Sequence, residues 1–198
     1  MGKSSGGNRV SRGGGNWGNT IADPDMRRQA IETREALAKV GISEDFLPKI
    51  EYTTIVSRKG TVTMAQYRDG RDVIEVNADS KAVRKGKEWQ LSAVSSGYTT
   101  QPNTIMHEVS HKIHSTLEKE LVQTARGYRA SMTIGLLPKS TIKKSVSEYA
   151  STNSKEFHAE LISGILSGRK YPKDILDDSI LGVSENKVAK RLYRRGLQ

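Results

Sequence analysis

A chain of 198 residues, 35% hydrophobic and 27% charged, suits one globular domain with a buried core and is too short for two comfortable ones. No apolar run approaches the roughly 20 residues of a membrane span, and the absence of cysteine excludes disulfides and thiolate metal sites together. The net charge of +10 favours solubility and would attract nucleic acid, an anionic membrane surface or an acidic protein.

Residues 1–20 hold seven glycines, no acidic residue and only Lys3, Arg9 and Arg12 as charges, which predicts a flexible basic arm ahead of a single domain over 21–198. Trp17, its one aromatic, is expected to anchor the arm against the body or a partner. No apolar stretch follows the N-terminal basic residues, so a secretory signal is not expected and synthesis in the cytoplasm is.

Asp23 and Pro24 read as the N-cap and first position of a helix that runs through Ile31, Leu37 and Val40 until Gly41 stops it. The texture then becomes β-branched and alternating. Ile50 to Val56, Thr61 to Tyr67 and Val73 to Val76, separated by Arg58-Lys59-Gly60 and Asp69-Gly70, predict strands joined by hairpins, hence a small, mostly antiparallel sheet. Trp89, Leu91 and Ala93 alternate with polar residues and predict a further strand before a polar loop ending near Pro102. Helices are expected over about 104 to 124, parts of 128 to 148, 154 to 168 and 184 to 195. Strands followed by helices indicate an α+β domain rather than alternating βαβ units.

Within the first of these helices His107 and His111 are four residues apart, about 40° in direction and one turn in height, close enough to share one ion. Glu108 projects about 100° from His107, beside such an ion, where a carboxylate can take a proton from water. Ile105, Met106, Val109, Ile113 and Leu117 cluster on the opposite side, so the metal face and the core face are separate. His114 is two turns from His107, too far to join the pair on one ion, and reads as a supporting or packing residue.

Catalytic zinc takes three protein ligands and leaves a fourth position for water. Lys112, Ile113, His114, Ser115, Thr116 and Leu117 after the motif exclude the metzincin extension, which needs a glycine and a third histidine there. A second source of ligands lies downstream, where Glu156 and Glu160 share a face at the start of a helix. Asn153 and Glu156 also fit a plain helix-capping arrangement.

His107, Glu108 and His111, followed by Tyr149, Ala150, Thr152, Asn153, Glu156, Phe157, Ala159 and Glu160, resemble the motifs of the gluzincin metallopeptidases of the anthrax lethal factor type. The resemblance covers about residues 104 to 168. It implies a zincin-like fold, one zinc ion, Glu156 as the third ligand beside His107 and His111, Tyr149 as a hydroxyl donor near the metal, and Glu160 as a carboxylate behind the ligands. His158 stands where the family has a second aromatic, so packing beneath that helix is expected to differ. The implied activity is hydrolysis of a protein or peptide through a zinc-activated water, with Glu108 as the general base. The strand around Trp89 to Ala93 is a candidate for pairing with an extended substrate. Domains of this kind, as the resemblance suggests, occur in toxins and in phage and mobile-element proteins, so association with a virion or delivery by another route is an expectation too.

The competing reading is a nucleic-acid-binding or phage structural protein carrying a vestigial zincin domain. It rests on the basic arm and on a C-terminal stripe of Lys187, Lys190, Arg191, Arg194 and Arg195 beside apolar Val188 and Leu192.

Overall fold

The computed structural model describes residues 17, 21–56, 62–99 and 103–198. Trp17 is buried, and its indole N–H donates to the Pro48 carbonyl at 2.8 Å, so this residue is anchored on the body. The rest of the basic arm, the Arg58-Lys59-Gly60 turn and the end of the loop at Pro102 lie outside the described residues.

Helix α1, Pro24–Lys39, begins as its residues dictate: Asp23 accepts the Met26 amide at 2.9 Å, and Pro24 occupies the first turn where no amide is needed. It ends on Gly41, whose φ of +73° is the left-handed conformation that glycine adopts without strain. Met26, Ala30, Thr33 and Leu37 form its buried stripe.

Three strands follow: β1, Lys49–Thr53; β2, Ala65–Arg68; and β3, Val73–Asn77. Their order is β1-β3-β2, with β3 parallel to β1 and antiparallel to β2. The sheet is therefore mixed, and the mostly antiparallel expectation is corrected. Asp69-Gly70 does turn a hairpin between β2 and β3, but β1 and β2 never pair. The reason lies in β3, which is buried along all five residues and takes the centre, while β1 and β2 each leave residues partly exposed and sit at the edges.

The strand expected at Trp89 to Ala93 is instead part of α2, Ser80–Ser95, capped by Asp79 on the Lys81 amide at 2.9 Å. Its buried positions, Val83, Gly86, Gln90 and Ala93, recur at helical spacing, but two of them are not apolar, so the period is hidden. The apolar residues that suggested alternation, Trp89 and Leu91, are exposed. Gly86 lets the chain before β2 pass close, since a Cβ there would stand 2.2 Å from the Met64 side chain.

Helix α3, Thr104–Val122, is the centre of the domain: it packs most extensively on α6, Ser154–Leu166, and also touches α1 and the sheet. Short helices α4, Ala125–Ser131, and α5, Lys139–Ser145, lead to a single 3₁₀ turn at Tyr149–Ser151. After α6 come α7, Lys173–Asp177; α8, Ile180–Val183; and α9, Lys187–Gly196. The domain is thus α+β. No helix among the described residues is long and apolar enough to cross a membrane.

On α9, Ala189 and Leu192 are buried while two of the stripe's cations turn inward. Arg191 donates to the Val40 carbonyl at 3.1 Å and Arg195 to the Ile165 carbonyl at 3.2 Å. These two guanidinium groups close the ends of α1 and α6 rather than standing free in solvent.

Candidate metal centre

Asn103 caps α3 by accepting the Met106 amide at 2.8 Å and fixes the register that sets His107 and His111 on one face. Ile105, Val109, Ile113 and Leu117 on the other face are buried, as the helical spacing predicts. Asn153 caps α6 in the same way, accepting the Glu156 amide at 3.1 Å. The cap engages only the backbone of Glu156, so its side chain is left to cross toward α3.

There it meets both histidines. Glu156 Oε2 lies 3.1 Å from His107 Nε2 and 3.5 Å from His111 Nε2, and one ligand atom from each of the three residues falls within 4.8 Å of the others. Tetrahedral zinc ligands at about 2.1 Å from the metal stand about 3.4 Å apart. Two nitrogens and one oxygen with these separations fit a zinc ion with little movement, and the donor set is one that zinc accepts. The triad could hold a metal ion.

His107 is held from behind. Its Nδ1 lies 3.1 Å from Glu160 Oε1, which leaves Nε2 directed at the centre. Glu160 is almost wholly buried and also accepts the Thr99 hydroxyl at 2.8 Å and the Ser147 hydroxyl at 2.9 Å. Ser147 in turn accepts the Ala150 amide at 3.0 Å, which ties this carboxylate to the turn that carries Tyr149. Neither Thr99 nor Ser147 was expected from sequence. Ser147 carried a local signal as the start of a hydroxyl-capped turn; Thr99, 61 residues from Glu160, carried none.

Glu108 and Tyr149 line one cleft of about 610 Å³ together with His107 and Glu160. Glu108 Oε2 accepts the Tyr67 amide of β2 at 2.7 Å, so the edge of the sheet fixes the carboxylate's orientation. Lys112 on Asp72 at 2.7 Å and Lys119 on Asp69 at 2.8 Å fasten the β2–β3 turn to the same helix. The Tyr149 ring lies 5.8 Å from the His107 ring and stacks at 5.8 Å on Tyr98, whose carbonyl accepts the Tyr149 amide at 2.8 Å. His111 turns its ring nearly perpendicular to His107.

The electrostatics follow from three carboxylates gathered around two imidazoles, with no Lys or Arg among the described residues lining the cleft. Burial opposes a charge on His107, but bonds to Glu156 and Glu160 outweigh it and hold the imidazole up to about 10. Glu156 is also opposed by burial, yet its bonds to His107 and His111 hold it well below the usual carboxylate range. Burial pushes Glu108 up, against the pull of the two histidines and the Tyr67 amide. Burial, and after it the charge of Glu156, raises the Tyr149 hydroxyl, which keeps its proton at neutral pH and is a donor.

His114 is not at the centre. It stacks on His158 with ring centroids 4.3 Å apart and planes 10° apart, a packing role as its spacing implied. His158 donates from Nδ1 to the Ser154 carbonyl at 2.7 Å and accepts the Ile180 amide on Nε2 at 3.1 Å.

Compared with models of known families, with curated proteins and with solved structures, the chain matches none.

Proposed function

We propose that this chain is a zinc-dependent metalloendopeptidase with a zincin-like fold, of the gluzincin type that its motifs resemble. The observation that carries the reading is the convergence of His107 Nε2, His111 Nε2 and Glu156 Oε2, with the buried carboxylate of Glu108 beside them and His107 braced by Glu160. Bound by this triad, zinc would supply a Lewis acid that polarises a carbonyl and lowers the pKa of water toward about 7.

The chain's own groups do the rest. Glu108, its carboxyl pushed up by burial, takes a proton from the attacking water and delivers it to the leaving amine. The Tyr149 hydroxyl donates to the oxygen that gains charge as the carbonyl carbon becomes tetrahedral. The substrate's backbone has a ready partner in the outer edge of β2, which replaces the segment at Trp89 to Ala93 in that role. Met64 bonds inward to β3 and Tyr67 turns its amide outward to Glu108, so by antiparallel alternation Ala65, which lines the cleft, presents its carbonyl outward.

The alternative, a binding protein with a vestigial centre, leaves the bracing of His107 and the placement of Glu108 without a purpose. Metal analysis and one variant test the reading. The purified protein is expected to hold one equivalent of zinc, lost in His107→Ala and Glu156→Ala, while Glu108→Gln keeps zinc and cleaves no member of a peptide library that the native chain cleaves. A native protein that takes up no zinc, or a Glu108→Gln variant of full activity, overturns it.

A further inference from the structure

From Leu121 to Ser147 the chain carries no acidic residue and five cations, Arg126, Arg129, Lys139, Lys143 and Lys144, all exposed. The same stretch contains Val122, Tyr128, Met132 and Leu136, four of the eleven large hydrophobic residues exposed among the described ones. Cations and exposed apolar side chains thus concentrate together in one stretch of the chain.

The local structure turns several of them outward. On α4, Gly127 faces inward, because a Cβ there would stand 1.9 Å from the Leu121 carbonyl oxygen. At about 100° per residue Tyr128, Met132 at the C-cap and Arg129 lie about 100°, 140° and 200° round from Gly127, on the outward half of the helix. The following loop is clamped: Asp178 accepts the Gly135 amide on its carbonyl at 2.9 Å and the Leu136 and Leu137 amides on its carboxylate at 2.8 and 3.1 Å. Ile134 and Leu137 pack on the core, and Leu136 between them is 72% exposed. A rigid backbone is holding an aliphatic side chain out in water.

We propose that this surface docks on an anionic lipid bilayer, with Leu136, Met132 and Tyr128 entering the headgroup boundary and Arg126, Arg129 and Lys139 meeting lipid phosphates and carboxylates. The charge is complementary, since Arg126, Arg129 and Lys139 outnumber the acids beside the stretch; Glu148 is paired with Lys143, and Glu185, whose carboxylate feels Arg126, with Lys190. The apolar groups choose between anionic partners. Aliphatic side chains that project from the surface gain nothing from a nucleic-acid backbone, and a folded acidic protein would need recesses shaped to them. A fluid interface accepts them without a matching shape, and the clamped loop has little freedom left to lose on insertion.

Vesicle flotation of the full chain tests this. The protein is expected to float with phosphatidylcholine vesicles that contain phosphatidylserine and to remain behind with phosphatidylcholine alone. Met132→Ser with Leu136→Ser, and separately Arg126→Glu with Arg129→Glu, are each expected to weaken binding about tenfold while zinc content and melting temperature hold. If a double variant loses its melting transition, Leu136→Ser alone decides, because the clamp on residue 136 uses only backbone. Failure to float overturns the proposal. So does a serine variant that binds as well as the native chain, which would reduce the effect to net charge. Capture by DNA or polyglutamate but not by vesicles overturns it as well. None of these outcomes depends on peptidase activity.

Discussion

The Glu160 carboxylate lies 3.1 Å from His107 Nδ1, while the opposite ring nitrogen faces Glu156 at 3.1 Å. One imidazole is thus gripped from both sides, and the rear partner is the more deeply buried. Glu160 is held by two hydroxyls whose protons it accepts, so it can give His107 orientation and basicity without moving. Glu160→Gln, which keeps the shape and removes the charge, is expected to weaken zinc binding about ten- to a hundredfold. Chelator competition measures this, with an unchanged circular dichroism spectrum showing that the fold survives. Unaltered affinity would make Glu160 a core residue only.

The Tyr149 ring has supports besides its hydroxyl, which bonds Glu156: Tyr98 stacks on the ring, and its carbonyl accepts the Tyr149 amide. Removing the hydroxyl therefore leaves the ring in place. Tyr149→Phe is expected to lower kcat about a hundredfold with KM and zinc content nearly unchanged. Steady-state kinetics on a peptide that the native chain cleaves would show the split; an equal rise in KM would mean that the hydroxyl binds ground-state substrate instead.

The centre was legible where local geometry carries it. Four-residue spacing on one helix puts His107 and His111 together whatever surrounds them, and the capping and metal readings of Glu156 prove compatible because one uses its amide and the other its carboxylate. Legibility fails where contacts span the chain. Nothing near Thr99 announces that its hydroxyl meets a carboxylate 61 residues away, and nothing near β1 announces that it skips β2 to pair with β3. Helix α2 was misread for a different reason: its buried face includes Gly86 and Gln90, chosen by close approach and by a bond to Thr104 rather than by hydrophobicity.

In the metal-free protein the Glu156 and Glu160 carboxylates on either side of His107 favour its protonated form. Held up to about 10, His107 favours its protonated form at neutral pH, so a metal ion taken by Nε2 would displace that proton. Calorimetric titration in buffers of different ionisation enthalpy is expected to show about one proton released from this residue per zinc, with affinity rising as the pH is raised. Stability of the metal-free protein runs the other way. Because the folded value lies above the ordinary 6.5, the stabilisation is complete below pH 6.5 and is lost as pH rises toward about 10. Melting temperatures of chelator-treated protein should fall across that window, and a flat profile would show that His107 holds no such proton.

The stacked pair behaves oppositely. His158 must be neutral with its proton on Nδ1, because Nε2 accepts the Ile180 amide, and a charge there would break the start of α8. Burial, and then His114, pushes His158 down to about 3; burial, and then His111, pushes His114 down to about 4. Depressed values mean that stability is present in full above the ordinary 6.5 and is lost as pH falls toward 4 and then 3. His158→Phe removes one of the two buried imidazoles at the price of leaving the Ile180 amide without its acceptor, a loss of about 1–3 kcal/mol at neutral pH. The variant should therefore begin less stable than the native chain but lose less on acidification, so that their melting curves, both taken with chelator, converge as the pH falls from 6.5 toward about 3. The difference between the two curves cancels the carboxylates they share. Parallel curves would mean that His158 takes up a proton as readily in the folded as in the unfolded chain, and that its Nε2 does not hold the Ile180 amide.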